Sequence, residues 1–447
     1  MNIIITVIMS LNLSLSSGIE TRFFRDSSVR MIEETEINVW QENFAAGLSY
    51  YLYYPENELA FQRRLGAVKG YVEVKSKELL FRAGSSYLSF GRGLIFQASR
   101  DDILKMDRFV NGLYMEVVKG LLDLRAFGGV SRYYLDHRLQ PDSTTLLLGV
   151  DGEIKVSGNL LIGGSALKAG TSTDYFGFRS TGEFGDLSAY FEYGVRTGYS
   201  RILQQDKRGA ADYIAVSYSR EKFGLLFEFR DYWLFGKDYG LPPTLNRNGI
   251  YLNEAMDERG YSFSFNFNPV EEITGNFSVS RINSPGYFGE KSELREAAFE
   301  MQYQTENRFA EMDIGYLNIT GGQVAIGVDN RKEIDPRFEY AFSTDRFEFE
   351  TYLRNRIRED DGLKYTDRDI AFTLGFLDGY SVTLTSQKRL GDLSEDWMNV
   401  EFKGQILENL NLILTAGSMR GDFVCSGGIC RYEPEFKGVM LKASVTF

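Results

Sequence analysis

The chain has 447 residues, 43% hydrophobic, 14% aromatic and 25% charged, with 45 Gly, 8 Pro and a formal charge of −12. This apolar content excludes a disordered chain, and the acidic balance without a basic patch disfavours a nucleic-acid binder. No apolar run reaches roughly 18 residues, which excludes a polytopic helical membrane protein, and two Cys cannot staple so long a chain; two or three soluble domains or one large all-β barrel remain.

Residues 3–15 are mostly apolar and uncharged, with the first basic residue at Arg22. The run is too short to span a bilayer and has the size of a signal h-region, and Ser14, Ser16 and Ser17 offer a cleavage site. The expectation is a signal peptide over residues 1–17 and a mature chain over residues 18–447. No Lys or Arg precedes the run, and a short buried strand or helix is the alternative.

From about Phe44 onward the dominant period is two. Four tyrosines, Tyr50, Tyr51, Tyr53 and Tyr54, gather near one segment end, as interfacial aromatic girdles require. The segment over residues 79–112 carries Phe90-Gly91-Arg92-Gly93. No helix start follows these glycines and the P-loop spacing is absent, so they read as a bulge or a close backbone approach in a strand. Arg82 and Arg92 are expected to project into a lumen. Residues 98–110 hold Arg100, Asp101, Asp102, Lys105, Asp107 and Arg108, a short helix or loop folded into the channel or else an ordinary external loop.

Residues 232–259 lack strand alternation over nearly thirty positions, and such loops are often functional. They include Lys237, Asp238 and Arg247, expected either to bend inward and narrow the lumen or to form an outer lid. Beyond them Tyr261, Phe263, Phe265 and Phe267 alternate with Ser262, Ser264 and Asn266, and Ile370, Phe372 and Leu374 alternate with Ala371 and Thr373. Such segments have one apolar and one polar face. Short turns such as Thr344-Asp345-Arg346 join them as antiparallel hairpins. One face of the segment after that turn shows Glu348, Glu350, Arg354 and Arg356, a candidate charge network on a lumen wall.

Cys425 and Cys430 bracket Ser-Gly-Gly-Ile, and in an oxidising compartment a disulfide at a loop tip is expected. Two thiolates are too few for a metal, and the single His137 is far away in sequence. With one His and no G-x-S-x-G, an enzyme is not expected, and no cofactor or metal motif appears.

The final segment, GVMLKASVTF, puts Val439, Leu441, Ala443, Val445 and Phe447 on one face. It resembles the terminal strand of bacterial outer-membrane barrels, which implies recognition by the barrel-insertion machinery; the glycine usual in that strand lies nearer the end than Gly438 does. Arg82, Gly84, Tyr87, Phe90, Gly91, Gly93, Leu94, Asp107, Asn111 and Gly112 resemble a motif of a little-characterised family of predicted porin-like outer-membrane β-barrels from Bacteroidetes-like bacteria. The resemblance covers about a tenth of the chain well, and implies a single barrel without a firm activity.

The expectation is therefore an all-β chain: one closed antiparallel transmembrane β-barrel of about 18–22 strands, termini on the periplasmic side, in the outer membrane of a Gram-negative bacterium. Outer-membrane lipids and lipopolysaccharide are its expected partners. Its expected role is a porin-like channel or passive transporter for polar solutes, with rings of Arg and Glu setting selectivity. A non-conducting barrel subunit or anchor of a secretion, adhesion or envelope complex is the alternative, and a soluble exported β protein the third.

Overall fold

Side chains of alternating polarity leave each strand with two unlike faces, and a sheet closed on itself satisfies every backbone group without an edge. In a computed structural model of the chain, the structure describes residues 12–25, 29–54, 64–102, 105–135, 138–139, 144–200, 205–206, 208–236, 238–253, 256–286, 291–321, 329–376, 379–426 and 429–447. These form a closed antiparallel barrel of 24 strands, each paired with its neighbours in sequence order. The ring closes where Asn12–Phe24 pairs with Phe436–Thr446, from Ser16↔Thr446 to Phe24↔Gly438. Phe447 continues that seam, exchanging backbone bonds with Leu15 at 2.8 and 3.1 Å.

The strand count exceeds the expected 18–22. The expectation allowed about ten residues for a mean connection, whereas every connection at the end where Asn12 and Phe447 lie has two or three. The longer connections lie at the opposite end, the arrangement of short periplasmic turns and long outer loops. The expected leader boundary after residue 17 falls inside Asn12–Phe24, a paired strand. Leu13 and Leu15 alternate there with Asn12, Ser14 and Ser16, so the run that reads as a signal core also has the period of a strand.

The apolar faces point outward. On Phe347–Asp360, Phe347, Phe349, Leu353 and Ile357 are exposed while Arg356, Arg358 and Asp360 are buried. Val439, Leu441 and Phe447 are exposed on the closing strand, as their shared face predicts. The same inversion recurs around the ring, with Phe176, Phe227, Phe277 and Phe372 on the outer surface. It is the polarity of a membrane-spanning barrel.

Candidate functional site

Two connections from the long-loop end turn into the lumen. The first begins after Leu79–Ser86, where Leu88–Phe90 pairs with Phe96–Ala98 as a hairpin. Its turn contains the Gly-Arg-Gly sequence, with Gly91 at φ +54° and Gly93 at φ +86°. Of the two expectations for these glycines, a strand bulge or a close backbone approach, the hairpin turn takes the second. A Cβ on Gly91 would lie 2.5 Å from a carboxylate oxygen of Glu192 on Leu187–Ser200, so this close approach, at a positive φ, suits glycine. Phe90, Leu94, Ile95 and Phe96 are at most 1% exposed. Phe96 stacks on Phe127 at 4.8 Å, and Ile95 packs over Gly177 and Gly194, which leave room for it.

The second inward segment is residues 234–256, the interior of the loop predicted at 232–259. It bends inward, and Phe235, Tyr239 and Tyr251 join Phe90, Phe96 and Tyr232 in one apolar cluster. Leu245, Ile250 and Leu252 pack against Ile282, Leu294 and Ile319 on the wall. Backbone bonds fasten the two segments together: Gln97 N donates to Tyr239 O, and Leu241 N to Gly93 O, both at 3.0 Å. Arg230 and Tyr232 donate to Pro243 O at 2.9 and 3.1 Å, and Asn246 clamps Ile250 through bonds of 2.7 and 2.8 Å. The result is an internal plug over one wall of the barrel.

The neighbouring wall is lined by ion pairs. Asp367, with no exposure, faces Arg389 at 2.7 Å, Arg356 and Arg420 at 3.3 Å and Arg358 at 3.7 Å. Asp335 takes Arg354 at 2.6 Å and Arg337 at 2.5 Å, and Arg331 pairs with Asp360 at 2.8 Å. These partners sit on adjacent strands and in the connection after Leu410–Met419, so the lattice crosslinks the wall from within.

A third region lies at the seam. A luminal cavity of about 390 Å³ is bounded by Asn12–Phe24, Val29–Gln41 and Phe436–Thr446 and by the turn before Met106–Lys119. Ile32, Tyr51, Met106 and Tyr134 supply apolar wall; Glu20, Glu34, Asp102, Asp107, Arg100, Lys105, Lys403 and Lys442 supply charge. Asp107 is held by Lys69 at 2.7 Å and Tyr87 at 2.8 Å.

The sequence-predicted residues are distributed over these regions. Arg82 pairs with Glu73 across a strand and lies over the Tyr71 ring. Arg92 reaches Leu187–Ser200 and Gly209–Arg220, where its guanidinium donates to Tyr213 at 2.9 Å and covers Tyr190, and its backbone N donates to Glu192. Arg100 holds Glu34 at 2.6 and 3.0 Å and Asp102 at 2.5 Å, and Asp101 pairs in register with Met106. Arg100 and Asp101 thus pair back onto Asp107 and Met106 in antiparallel register. Asp238 sits 3.7 Å from the buried Arg196, and Arg247 pairs with Asp313 while its backbone N donates to Glu296 at 2.6 Å. Arg354 and Arg356 enter the lattice through Asp335 and Asp367; Glu348 and Glu350 lie nearer the short-turn end and outside it. Lys237 and His137 lie outside the described residues. Strands Asp422–Ser426 and Ile429–Glu433 set Cys425 opposite Cys430 in register, the backbone placement a disulfide requires.

Sequence reasoning missed Arg230, Asp313 and Asp367, each almost fully buried. Their partners stand on other strands or inward loops, and only strand register could have found them. The motif residues from Arg82 to Gly112 build the first inward segment and the Asp107 cluster, and a Cβ on Gly112 would meet Gly128 O at 2.1 Å.

Residues 21–237, just under half of the chain, match a family described as a family of unknown function, DUF6029. No curated protein matches in sequence. Among solved structures, the chain is similar to the P pilus usher (PapC) translocation pore, with 10% identity and a TM-score of 0.55 over 98% of this chain and 99% of that one. It is similar as well to an E. coli P pilus tip assembly intermediate, PapC-PapD-PapK-PapG, with 10% identity and a TM-score of 0.58 over 97% of this chain and 60% of that one. Pseudomonas aeruginosa OccK5 (OpdH) is matched at 9% identity and a TM-score of 0.48 over 84% of this chain and 98% of that one. At these identities the likeness is one of fold.

Proposed function

We propose that this chain is an outer-membrane channel or passive transporter for small polar solutes, its bore set to one side of the barrel by the internal plug. The observation that carries this reading is the division of the lumen. The plug packs the wall from Leu122–Leu135 to Arg308–Thr320 with apolar side chains, whereas the seam keeps a cavity lined by charged side chains. A barrel of this strand number encloses an aqueous lumen unless loops fill it, and here the loops fill one part. Export, insertion through the strand ending at Phe447, contact with lipopolysaccharide and the Cys425–Cys430 disulfide belong to the same reading. Purified protein in a planar bilayer is expected to conduct, and removal of residues 88–98 to raise the conductance several-fold. A barrel silent before and after that deletion would overturn the channel.

The buried apolar core where the two inward segments meet favours a second reading, a closed barrel that anchors or completes an envelope complex. A stoichiometric partner on a non-conducting barrel would establish it.

A further inference from the structure

We propose that the seam cavity is a binding site for a small amphipathic anion: an apolar body of a few carbons with one anionic head, held by Lys105 and Lys403. As the solute class of the proposed channel, the inference rests on that reading for transport, though binding itself is measured apart from it.

The charges around the cavity decide the sign of the ligand. Every carboxylate that lines it is already engaged. Glu20 takes Arg22 at 2.7 Å and Lys442 at 3.1 Å, Arg100 holds both Glu34 and Asp102, and Lys69 holds Asp107. Two of these cations, Arg22 and Lys69, stand behind the lining, so the acids inside are neutralised with cations to spare. Lys105 Nζ is buried and makes no hydrogen bond among the described residues; its nearest carboxylate, Glu433, is 3.8 Å away and shared with Arg22. Lys403 also lines the cavity and forms no ion pair among the described residues.

A buried ammonium whose nearest carboxylate among the described residues is 3.8 Å away is poorly compensated, and a bound anion would supply a closer acceptor. Lys105 adopts φ +50°, a left-handed conformation that non-glycine residues reach at a cost and that clusters at ligand clamps. The apolar wall of Ile32, Tyr51, Met106 and Tyr134 selects the body. A cavity of about 390 Å³ has the size of a small-molecule site.

Burial brings the Lys105 ammonium down to about 8; Glu433 and Glu20 oppose that, and Arg30 and Arg22 add to it. The charged form is therefore present at neutral pH and lost as pH rises through about 8. Anion affinity should fall over the same interval.

The test is calorimetric titration of the full chain in a non-ionic detergent. Hexanoate and hexyl phosphate are the anionic probes, and hexanamide and hexylamine the neutral and cationic ones. Binding of either anion with at least tenfold preference over hexanamide and hexylamine is expected, and the two anions separate carboxylate from phosphate recognition. Lys105→Gln should weaken anion binding tenfold or more and abolish its decline between pH 7 and pH 9.5. Lys119→Gln, at an exposed turn, should leave both unchanged, and heat-modifiable gel migration reports that each variant is folded. Equal affinity for the four probes, no binding, or a Lys105→Gln variant that binds as before would overturn the site. Binding without conductance would keep the site and remove the channel; conductance without binding would do the reverse.

Discussion

From Leu122–Leu135 to Arg308–Thr320 the interior of the barrel is closed by rings and aliphatic side chains; from Arg331–Ser343 to Tyr380–Gly391 it is lined by arginines facing carboxylates. Both walls are buried, but different forces hold them. The plug core depends mainly on apolar area, with a few polar anchors such as Arg247 to Asp313 and Arg92 to Tyr213, and it tolerates swaps that keep side-chain volume. The lattice depends on a count of charges in fixed positions, and removal of one member leaves its partners uncompensated. A change that is mild on one wall should be severe on the other.

The largest effect is expected when the chemistry of one wall is placed in the other. Ile95 has no exposure and sits between Gly177, Gly194 and Phe235. Ile95→Asp buries an unpaired carboxylate there, which costs several kcal/mol, on the order of a whole domain's stability. The barrel ladder does not pass through Ile95, so the cost falls on the docking of the plug. Single-channel conductance should rise several-fold while heat-modifiable gel migration persists. Unchanged conductance would mean that the plug does not restrict the bore.

Next in size is a conservative change in the lattice. Asp367→Asn keeps shape and removes one charge from among Arg356, Arg358, Arg389 and Arg420. A loss of about 3–5 kcal/mol is expected from such a buried pairing, read as a lower urea midpoint in detergent, together with a shift of reversal potential toward anions. A conservative change in the plug should matter less. Phe96→Leu keeps an apolar side chain near Phe90 and Phe127 and should cost under about 1.5 kcal/mol. If the two urea midpoints moved equally, the contrast between the walls would fail.

The sequence carried most strands legibly because period two survives in their segments, though the first part of Asn12–Phe24 read as a signal core, and the polarity of the closing strand placed its apolar face outward. Residues 232–259 were legible as a loop too long for an ordinary turn, but nothing in the sequence chose between an inward bend and an outer lid. The plug hairpin was not, because its short strands read like any others, and contacts far off in sequence, such as Gly91 with Glu192 and Gln97 with Tyr239, set it inside the lumen. Charge pairing was legible only within one strand. Arg354 and Arg356 suggested Glu348 and Glu350 as companions, but their carboxylates come from Asp335 on one neighbouring strand and Asp367 on the other. Asp422, which also meets Arg356, comes from a hairpin 66 residues away.

The smallest effect belongs to a pair with the lattice's chemistry and none of its burial. Arg220 and Asp186 meet at 3.1 Å near the short-turn end, with both side chains largely in solvent. Water and salt screen such a pair, and holding two long side chains in place offsets what attraction remains. Arg220→Gln should therefore leave the urea midpoint unresolved from that of the unmodified chain at 0.15 M salt. Measured beside Asp367→Asn, it separates two explanations of the lattice. If burial gives the lattice its strength, only the Asp367 variant moves, and its shift survives added salt. If ion pairing alone were sufficient, both variants would lose stability, and both losses would shrink as the salt rises.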